Sequence, residues 1–125
     1  VERITRPHMK PLIEPYGLCE ATRHGDTLHI AGQTGMSLQH QIVDGGIRAQ
    51  ARQAFRNIGE IIELAGGRAE NLISLTWYLA EGSRSFMEDA LDVTAARDEI
   101  FPGIVAGATA VRVRSLLTPE MWFES

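Results

Sequence analysis

Hydrophobic and polar residues follow two different periods along the chain. A period of two, typical of strands with one buried face, is found over residues 27–33, 72–80 and 109–114, and further strands are predicted over residues 17–23 and 121–125. A period of three to four, typical of helices with one apolar stripe, is found over residues 47–65 and again after Ser85. The pattern therefore predicts the order β-β-α-β-α-β-β.

The helix over residues 47–65 has the strongest signal in the chain. Asp44 or Gly46 can cap its start, and Gly66 with the glycine after it ends the helix. Its apolar positions form a single stripe: Ile47, Ala51, Ala54, Phe55, Ile58, Ile61, Ile62 and Ala65.

A second helix is predicted to start at Ser85, because Ser85 and Glu88 have the spacing of a capping box. Pro102 stops this helix. Since both helices have one apolar side, we expect them to pack on one face of a sheet. Leu75 and Trp77 would then leave apolar surface on the other face, which predicts association with further subunits.

Two segments have no periodic pattern. Residues 1–16 contain three prolines and predict an irregular lead-in, and residues 34–46 contain three glycines and predict a loop. With only 125 residues, the chain is expected to form one domain, residues 1–125.

Composition narrows the class of protein. Hydrophobic residues make up 44% and charged residues 22%, as in an ordinary globular domain. The net charge is −4 and basic residues do not cluster, which argues against a nucleic-acid partner. No apolar run is long enough to cross a membrane and no signal core is present, so we expect a cytoplasmic protein.

Few residues carry a chemical signal of their own. Cys19 is the only cysteine, so it forms no internal disulfide; an inert thiol is favoured over a nucleophile because nothing nearby would lower its pKa. The four histidines lie on separate elements and lack the spacing of metal ligands, so no metal site is predicted. Gly32 and Gly35 follow a strand, and either bind an anion through backbone amides or simply form a turn.

Glu124 is less usual, because it stands beside Met121, Trp122 and Phe123. Apolar neighbours can raise the pKa of a carboxyl group and suit it to proton transfer. An exposed residue at a sheet edge is the alternative. The residues alone leave both interpretations open.

In order along the chain, five segments resemble the Rid family of reactive intermediate deaminases, also called the YjgF-type or L-PSP endoribonuclease-type family. The segments are RHGDTLHIAGQ (23–33), AQARQAFRNI (49–58), residues 72–79, AARDEIF (95–101) and PEMWFE (119–124). The resemblance implies an α+β, chorismate-mutase-like fold with a six-stranded mixed sheet and two helices on one face. It also implies a homotrimer with ligand clefts between subunits, hydrolysis of enamines and imines, and no metal or organic cofactor.

The resemblance implies a role for Glu124 as well. It matches the family's glutamate, which positions or deprotonates the attacking water. The family's arginine, which binds a substrate carboxylate, falls at Ala108, or at Ile104 with another gap placement. The substrate-binding positions that the resemblance implies are Tyr16, Leu18, Ala31, Gly32, Gln33, Thr94, Ala108, Thr109 and Ala110.

Several of these positions depart from the family pattern. Leu18 stands at the cleft tyrosine, with Tyr16 two residues away; Ala31 stands at a serine; and Thr94 stands at an asparagine. Ala108 offers no charge to a carboxylate, and Arg112, four residues along the strand, is about 13 Å away.

The missing arginine predicts an arginine-lacking branch whose small-molecule ligand is not a standard 2-imino acid. A hydrolase or deaminase of an imine, enamine or related metabolite is the first hypothesis. A non-catalytic trimer that binds a metabolite is the alternative. The ribonuclease label of some relatives is disfavoured, because the chain has a net charge of −4 and no basic patch.

Overall fold

Three antiparallel strands near the N-terminus form one ladder. In the computed structural model, which describes residues 1–125, β2 (Ala21–His24) lies between β1 (Glu2–Ile4) and β3 (Thr27–Ile30). The lead-in of residues 1–16 is therefore not irregular, since it contains β1 and the short helix α1 (Lys10–Ile13). Three residues are too few for alternation to be recognised, which is why the sequence pattern missed β1.

The remaining three strands form a second ladder. In it, β4 (Ser74–Ala80) lies between the parallel strand β5 (Gly107–Val113) and the antiparallel strand β6 (Phe123–Glu124). Gln33 and Ser125 exchange two backbone hydrogen bonds of 2.7 and 3.0 Å, which join the first ladder to the second. Six strands thus make the mixed sheet of an α+β fold, as predicted.

The long helix α2 (Gly46–Leu64) lies between the two ladders in sequence. Its N-cap is Gly45, with φ of 111°, and no side chain caps its first amides. The predicted caps, Asp44 and Gly46, were therefore wrong. The N-cap is Gly45, because the chain enters the helix in a left-handed backbone conformation that glycine adopts readily.

The second long helix, α3 (Phe86–Ile100), starts as predicted. The Glu88 amide donates to the Ser85 hydroxyl at 3.2 Å, and the Glu88 carboxylate accepts from the Ser85 amide. This reciprocal pair satisfies two amides at the helix start. No helix of the molecule is both long and apolar enough to span a membrane.

Phe55 of α2 is the centre of the main core. Its ring meets those of Trp77, Phe101 and Phe123 edge to face, with centroid distances of 6.3, 6.0 and 5.5 Å. Leu75 and Trp77 are both buried on this side of the sheet, beneath the helices. The expectation that they leave apolar surface on the other side was wrong, because the face of β4 that carries them is the one that lies under the helices.

The other side of the sheet carries no helix. In β4, Ser74, Thr76 and Tyr78 are exposed there, and their partners in β5 include Thr109 and Val111. We call this surface, defined by these five residues, the helix-free face. It is of mixed polarity, and apolar only at Tyr78 and Val111.

Candidate active site

Glu124 lies at the end of β6, on the helix-free face. Its neighbour Phe123 is fully buried against the core, and alternation along a strand turns Glu124 to the opposite side. Glu124 pairs with Tyr78 of β4 and forms an isolated bridge with Thr34 on its other side. The carboxylate therefore lies where the two ladders meet.

The Glu124 carboxylate lies directly on the backbone of Gly32. A Cβ atom at position 32 would lie 2.5 Å from Glu124 Oε1, so only glycine allows this approach. The carboxylate is half-buried and neither forms an ion pair nor accepts a hydrogen bond from the protein. Burial alone raises the pKa of Glu124 above its usual value.

Ala31 and Gln33 flank Gly32 but serve different purposes. The Ala31 amide donates to the Glu20 carbonyl at 2.8 Å and so continues the first ladder. The Gln33 side chain is buried, where its Oε1 accepts from Arg6 and its Nε2 donates to the Ala31 carbonyl. The backbone of Gln33 therefore lies on the side of Glu124, whereas its side-chain amide does not.

Tyr78 is a neighbour of Glu124 that sequence reasoning missed. Cross-strand partners project to the same face, with Cβ atoms about 5 Å apart, so the ring lies beside the carboxylate. Alternation along β4 already separates Tyr78 from the buried Trp77 and Leu79. The sequence thus showed that Tyr78 faces away from the core, but only the pairing of β4 with β6 shows that it lies beside Glu124.

Ala108, Thr109 and Ala110 lie on β5, away from Glu124. Ala108 pairs with Leu75, three residues along β4 from the partner of Glu124, which is about 10 Å. Strands β5 and β6 also flank β4 on opposite sides, about 10 Å apart. Within one chain, the structure does not bring the Ala108 position to Glu124.

The other predicted positions are also apart from Glu124. Thr94 is in the helical layer, and its hydroxyl donates to the Ala90 carbonyl of its own helix at 2.9 Å. Tyr16 is highly exposed at the end of a 3-10 turn. Leu18 lines an open depression of about 590 Å³ beside the lead-in, together with the half-buried Cys19.

Arg112 is not free to bind a substrate carboxylate near Ala108. Its guanidinium donates to the buried Asp89 carboxylate at 2.9 Å and to the Ala80 carbonyl at 3.0 Å, and it lies over the ring of Phe86. These partners hold it on the side of α3, behind the sheet. Arg114 is exposed and forms no ion pair.

No cluster of ligands for a metal is present. His8 and His40 stack with ring centroids 6.1 Å apart, and His40 Nε2 lies 2.8 Å from the His8 carbonyl oxygen. No three side chains of histidine, cysteine, aspartate or glutamate converge.

Relatives of known sequence agree with the resemblance. The family profile described as Endoribonuclease L-PSP matches residues 10–124. The 2-iminobutanoate/2-iminopropanoate deaminase of Mus musculus is 32% identical over 105 residues, covering 83% of this chain and 73% of that protein. The human protein of the same name is 39% identical over 70 residues, covering 55% of this chain and half of its own length.

Solved structures agree as well. RidA from an Antarctic Psychrobacter superposes with a TM-score of 0.74 at 26% identity, covering 86% of this chain and 82% of that one. A Mycobacterium tuberculosis member of the YjgF/YER057c/UK114 family has the same fold, with a TM-score of 0.77 at 21% identity, covering 98% and 92%. The profile match over nearly the whole length places the chain in the endoribonuclease L-PSP family, also known as the Rid or YjgF family.

Proposed function

We propose that this protein is a Rid-type hydrolase that converts an imine or enamine into a carbonyl compound and ammonia. The observation that carries the proposal is the half-buried Glu124 carboxylate, which lies against Gly32 without any partner from the protein. Its lone pairs are free to accept a hydrogen bond from a water molecule. Because burial raises its pKa, it is also a stronger base than an exposed glutamate.

The proposed reaction uses one water molecule for each imine. Glu124 takes a proton from the water while the oxygen bonds to the imine carbon, and the C=N double bond becomes a C–N single bond. The proton passes to nitrogen, and the carbinolamine collapses to a carbonyl group and ammonia. An enamine enters the same sequence after a proton is added to its carbon and another is lost from its nitrogen, which together give the imine.

The proposed substrate lacks the carboxylate of a 2-imino acid. The relatives named above act, by their names, on 2-iminobutanoate and 2-iminopropanoate, which carry one. A carboxylate in a cleft calls for a cation such as a forked arginine. Ala108 offers none, and Arg112 is held by Asp89. We therefore infer an uncharged substrate, or one held by other contacts, and an arginine-lacking branch of the family.

The proposed cleft lies between subunits of a homotrimer. The Ala108 end of β5 and Glu124 are too far apart in one chain to hold one small molecule. A second subunit packed on the helix-free face would bring its own β5 to Glu124 and would cover Tyr78 and Val111.

A non-catalytic trimer that binds a metabolite is the second candidate. It is favoured by the changes at the positions that hold ligand in the family pattern, where this chain has Leu18, Ala31, Thr94 and Ala108. Such a protein would retain its ligand without turnover.

The test is a hydrolysis assay on a panel of imines. Amino-acid oxidation generates 2-imino acids, and amine oxidation generates imines without a carboxylate; semicarbazide traps what the enzyme has not hydrolysed. Wild type is compared with Glu124→Gln, and with Glu120→Gln as the matched control at an exposed glutamate four residues away. We expect Glu124→Gln to lower kcat by roughly 10²- to 10⁴-fold on the carboxylate-free imines and Glu120→Gln to leave it unchanged.

Ala108→Arg tests whether an added cation at this position is enough for the hydrolysis of 2-imino acids. Gain of 2-imino acid hydrolysis in this variant would show that only the carboxylate anchor is missing. Full activity of Glu124→Gln would overturn the role of the glutamate. Silence of wild type on every imine, together with tight retention of a metabolite, would favour the binding protein.

A further inference from the structure

Two buried amide side chains on α2 contact the two segments that form the candidate site. Gln50 and Asn57 are each only 3% exposed. They are seven residues apart, which is two helical turns, so both lie on one face of α2, about 10 Å apart along its axis. Neither belongs to the apolar stripe, and burial of an amide requires that its hydrogen bonds be satisfied.

Gln50 holds the approach to β6. Its Nε2 donates to the Glu120 carbonyl at 2.9 Å, and its Oε1 accepts from the Trp122 amide at 2.8 Å. One side chain thus bonds both sides of the turn that leads to Glu124. It also faces Gly35, where a Cβ atom would lie 2.7 Å from the Gln50 Cα, so the two backbones are in close contact.

Asn57 holds the segment after Gly32. Its Nδ2 donates to the Thr34 carbonyl at 3.1 Å and to the Met36 carbonyl at 3.0 Å. These carbonyls belong to the loop, where no strand partner satisfies them. Asn57 therefore does for residues 32–36 what Gln50 does for residues 120–124.

Asn57 is itself fixed from behind. Its Oδ1 accepts from Arg6 Nη1 and from Gln53 Nε2, both at 3.0 Å. Arg6 is buried and forms a bidentate pair with the buried Glu20, from Nε to Oε1 at 3.0 Å and from Nη2 to Oε2 at 2.7 Å, and it also donates to Gln33 at 3.3 Å. Every hydrogen-bonding site of the Asn57 amide is in use, so its orientation is determined.

We propose that Gln50 and Asn57 are positioning residues, which fix residues 120–124 and 32–36 to one helix face and thereby hold the Glu124 carboxylate against Gly32. The proposal rests on the proposed function only in taking Glu124 as the reacting group. The rival is a purely structural role, in which the two amides merely dock α2 onto the sheet. A stability measurement does not separate the two roles, but the ionisation of Glu124 does.

The first experiment is a pH titration of the glutamate side-chain carbons by nuclear magnetic resonance, with the Glu124 signal assigned by its loss in Glu124→Gln. The test variant is Gln50→Met, which keeps the length of the side chain and removes both hydrogen bonds without touching Arg6. Asn57→Leu is the second variant, because it has a similar shape, adds no charge and removes the donor to Thr34 and Met36. Arg6 Nη1 keeps its hydrogen bond to Glu60 in this variant. Ile62→Val, in the core at the far end of α2, is the control for lost stability.

Released segments admit water to the carboxylate, so the pKa of Glu124 is expected to fall toward that of an exposed glutamate in both amide variants. Ile62→Val is expected to leave it unchanged. An unchanged pKa in folded Gln50→Met and Asn57→Leu would overturn the proposal.

The second experiment measures imine hydrolysis by the same variants. We expect kcat to fall at least tenfold in Gln50→Met with KM within twofold, and the acid limb of the pH–rate profile to follow the pKa measured by resonance. Ile62→Val should stay within twofold in kcat. A shifted pKa without imine hydrolysis in any variant would support positioning and count against the proposed function. Hydrolysis by wild type with an acid limb that does not move in the amide variants would do the opposite.

Discussion

At the scale of single residues, the candidate site depends on one carboxylate and on the glycine against which it lies. Glu124 is half-buried without a partner because Gly32 leaves room for it. In the sequence, the apolar neighbours of Glu124 and its match to the family motif pointed to a role in proton transfer. It could not reveal the contact with Gly32, because the two residues are 92 positions apart and meet only when β6 adds to the sheet.

Gly32→Ala tests that contact. The new methyl group would meet Glu124 Oε1 at 2.5 Å, and the flexible carboxylate can move aside. We therefore expect the free energy of unfolding to change by less than about 1 kcal/mol, while imine hydrolysis falls at least tenfold. Gly82→Ala is the matched control, since a Cβ there meets no atom within 4 Å. Equal activity of both variants would show that the carboxylate need not lie on the backbone of residue 32.

The ionisation of Glu124 also predicts a dependence of stability on pH. Burial raises the pKa of this carboxyl in the folded state above its unfolded value, so the folded protein binds the proton more tightly. Glu124 therefore destabilises the fold above its folded pKa and is without cost below its unfolded pKa. We expect Glu124→Gln to be more stable than wild type in urea at pH 7 and equal to it in acid. Glu120→Gln should show no such difference, and an unchanged Glu124→Gln at pH 7 would contradict the assigned burial.

At the scale of elements, the predictable parts are those whose signals are local. Ser85 and Glu88 are three residues apart and predicted the start of α3 correctly. Gln50 and Asn57, by contrast, are polar residues on the buried face of α2. No local signal marks them, since their partners at residues 34–36 and 120–122 are remote in sequence. The strand β1 escaped notice because its pairing with β2 and not its own pattern defines it.

Ser85→Ala tests the cap of α3. Loss of the hydroxyl leaves the Glu88 amide without its acceptor and also removes a bond to the Glu88 carboxylate. We expect the free energy of unfolding to fall by about 1 kcal/mol, measured by urea denaturation. Ser115→Ala, at an exposed serine without a hydrogen bond, should change it by less than about 0.5 kcal/mol. Because α3 packs behind the sheet, activity at a permissive temperature should not change.

At the scale of the whole molecule, the two sides of the sheet differ in how far the chain itself covers them. The helices bury Leu75, Trp77 and Phe123 on one side, and that side is complete within one chain. The helix-free face leaves Tyr78 and Val111 each 39% exposed beside Glu124. The sequence predicted that one face needs a partner but named the wrong residues. Alternation along β4 shows which residues share a face, but it does not show which face lies under the helices.

Val111→Arg tests whether that face is the interface of a homotrimer. We expect wild type to sediment as a trimer of about 41 kDa, three times the chain mass of 13.8 kDa. An arginine at position 111 would bring a long charged side chain into the interface, where it must be desolvated, and this should release monomers. Leu91→Arg is the control, because Leu91 is 61% exposed on α3, on the opposite side. Since the proposed cleft combines β5 of one subunit with Glu124 of another, we expect the dissociated variant to lose activity as well. A Val111→Arg protein that stays trimeric would place the interface elsewhere, and an active monomer would show that one chain forms the whole site.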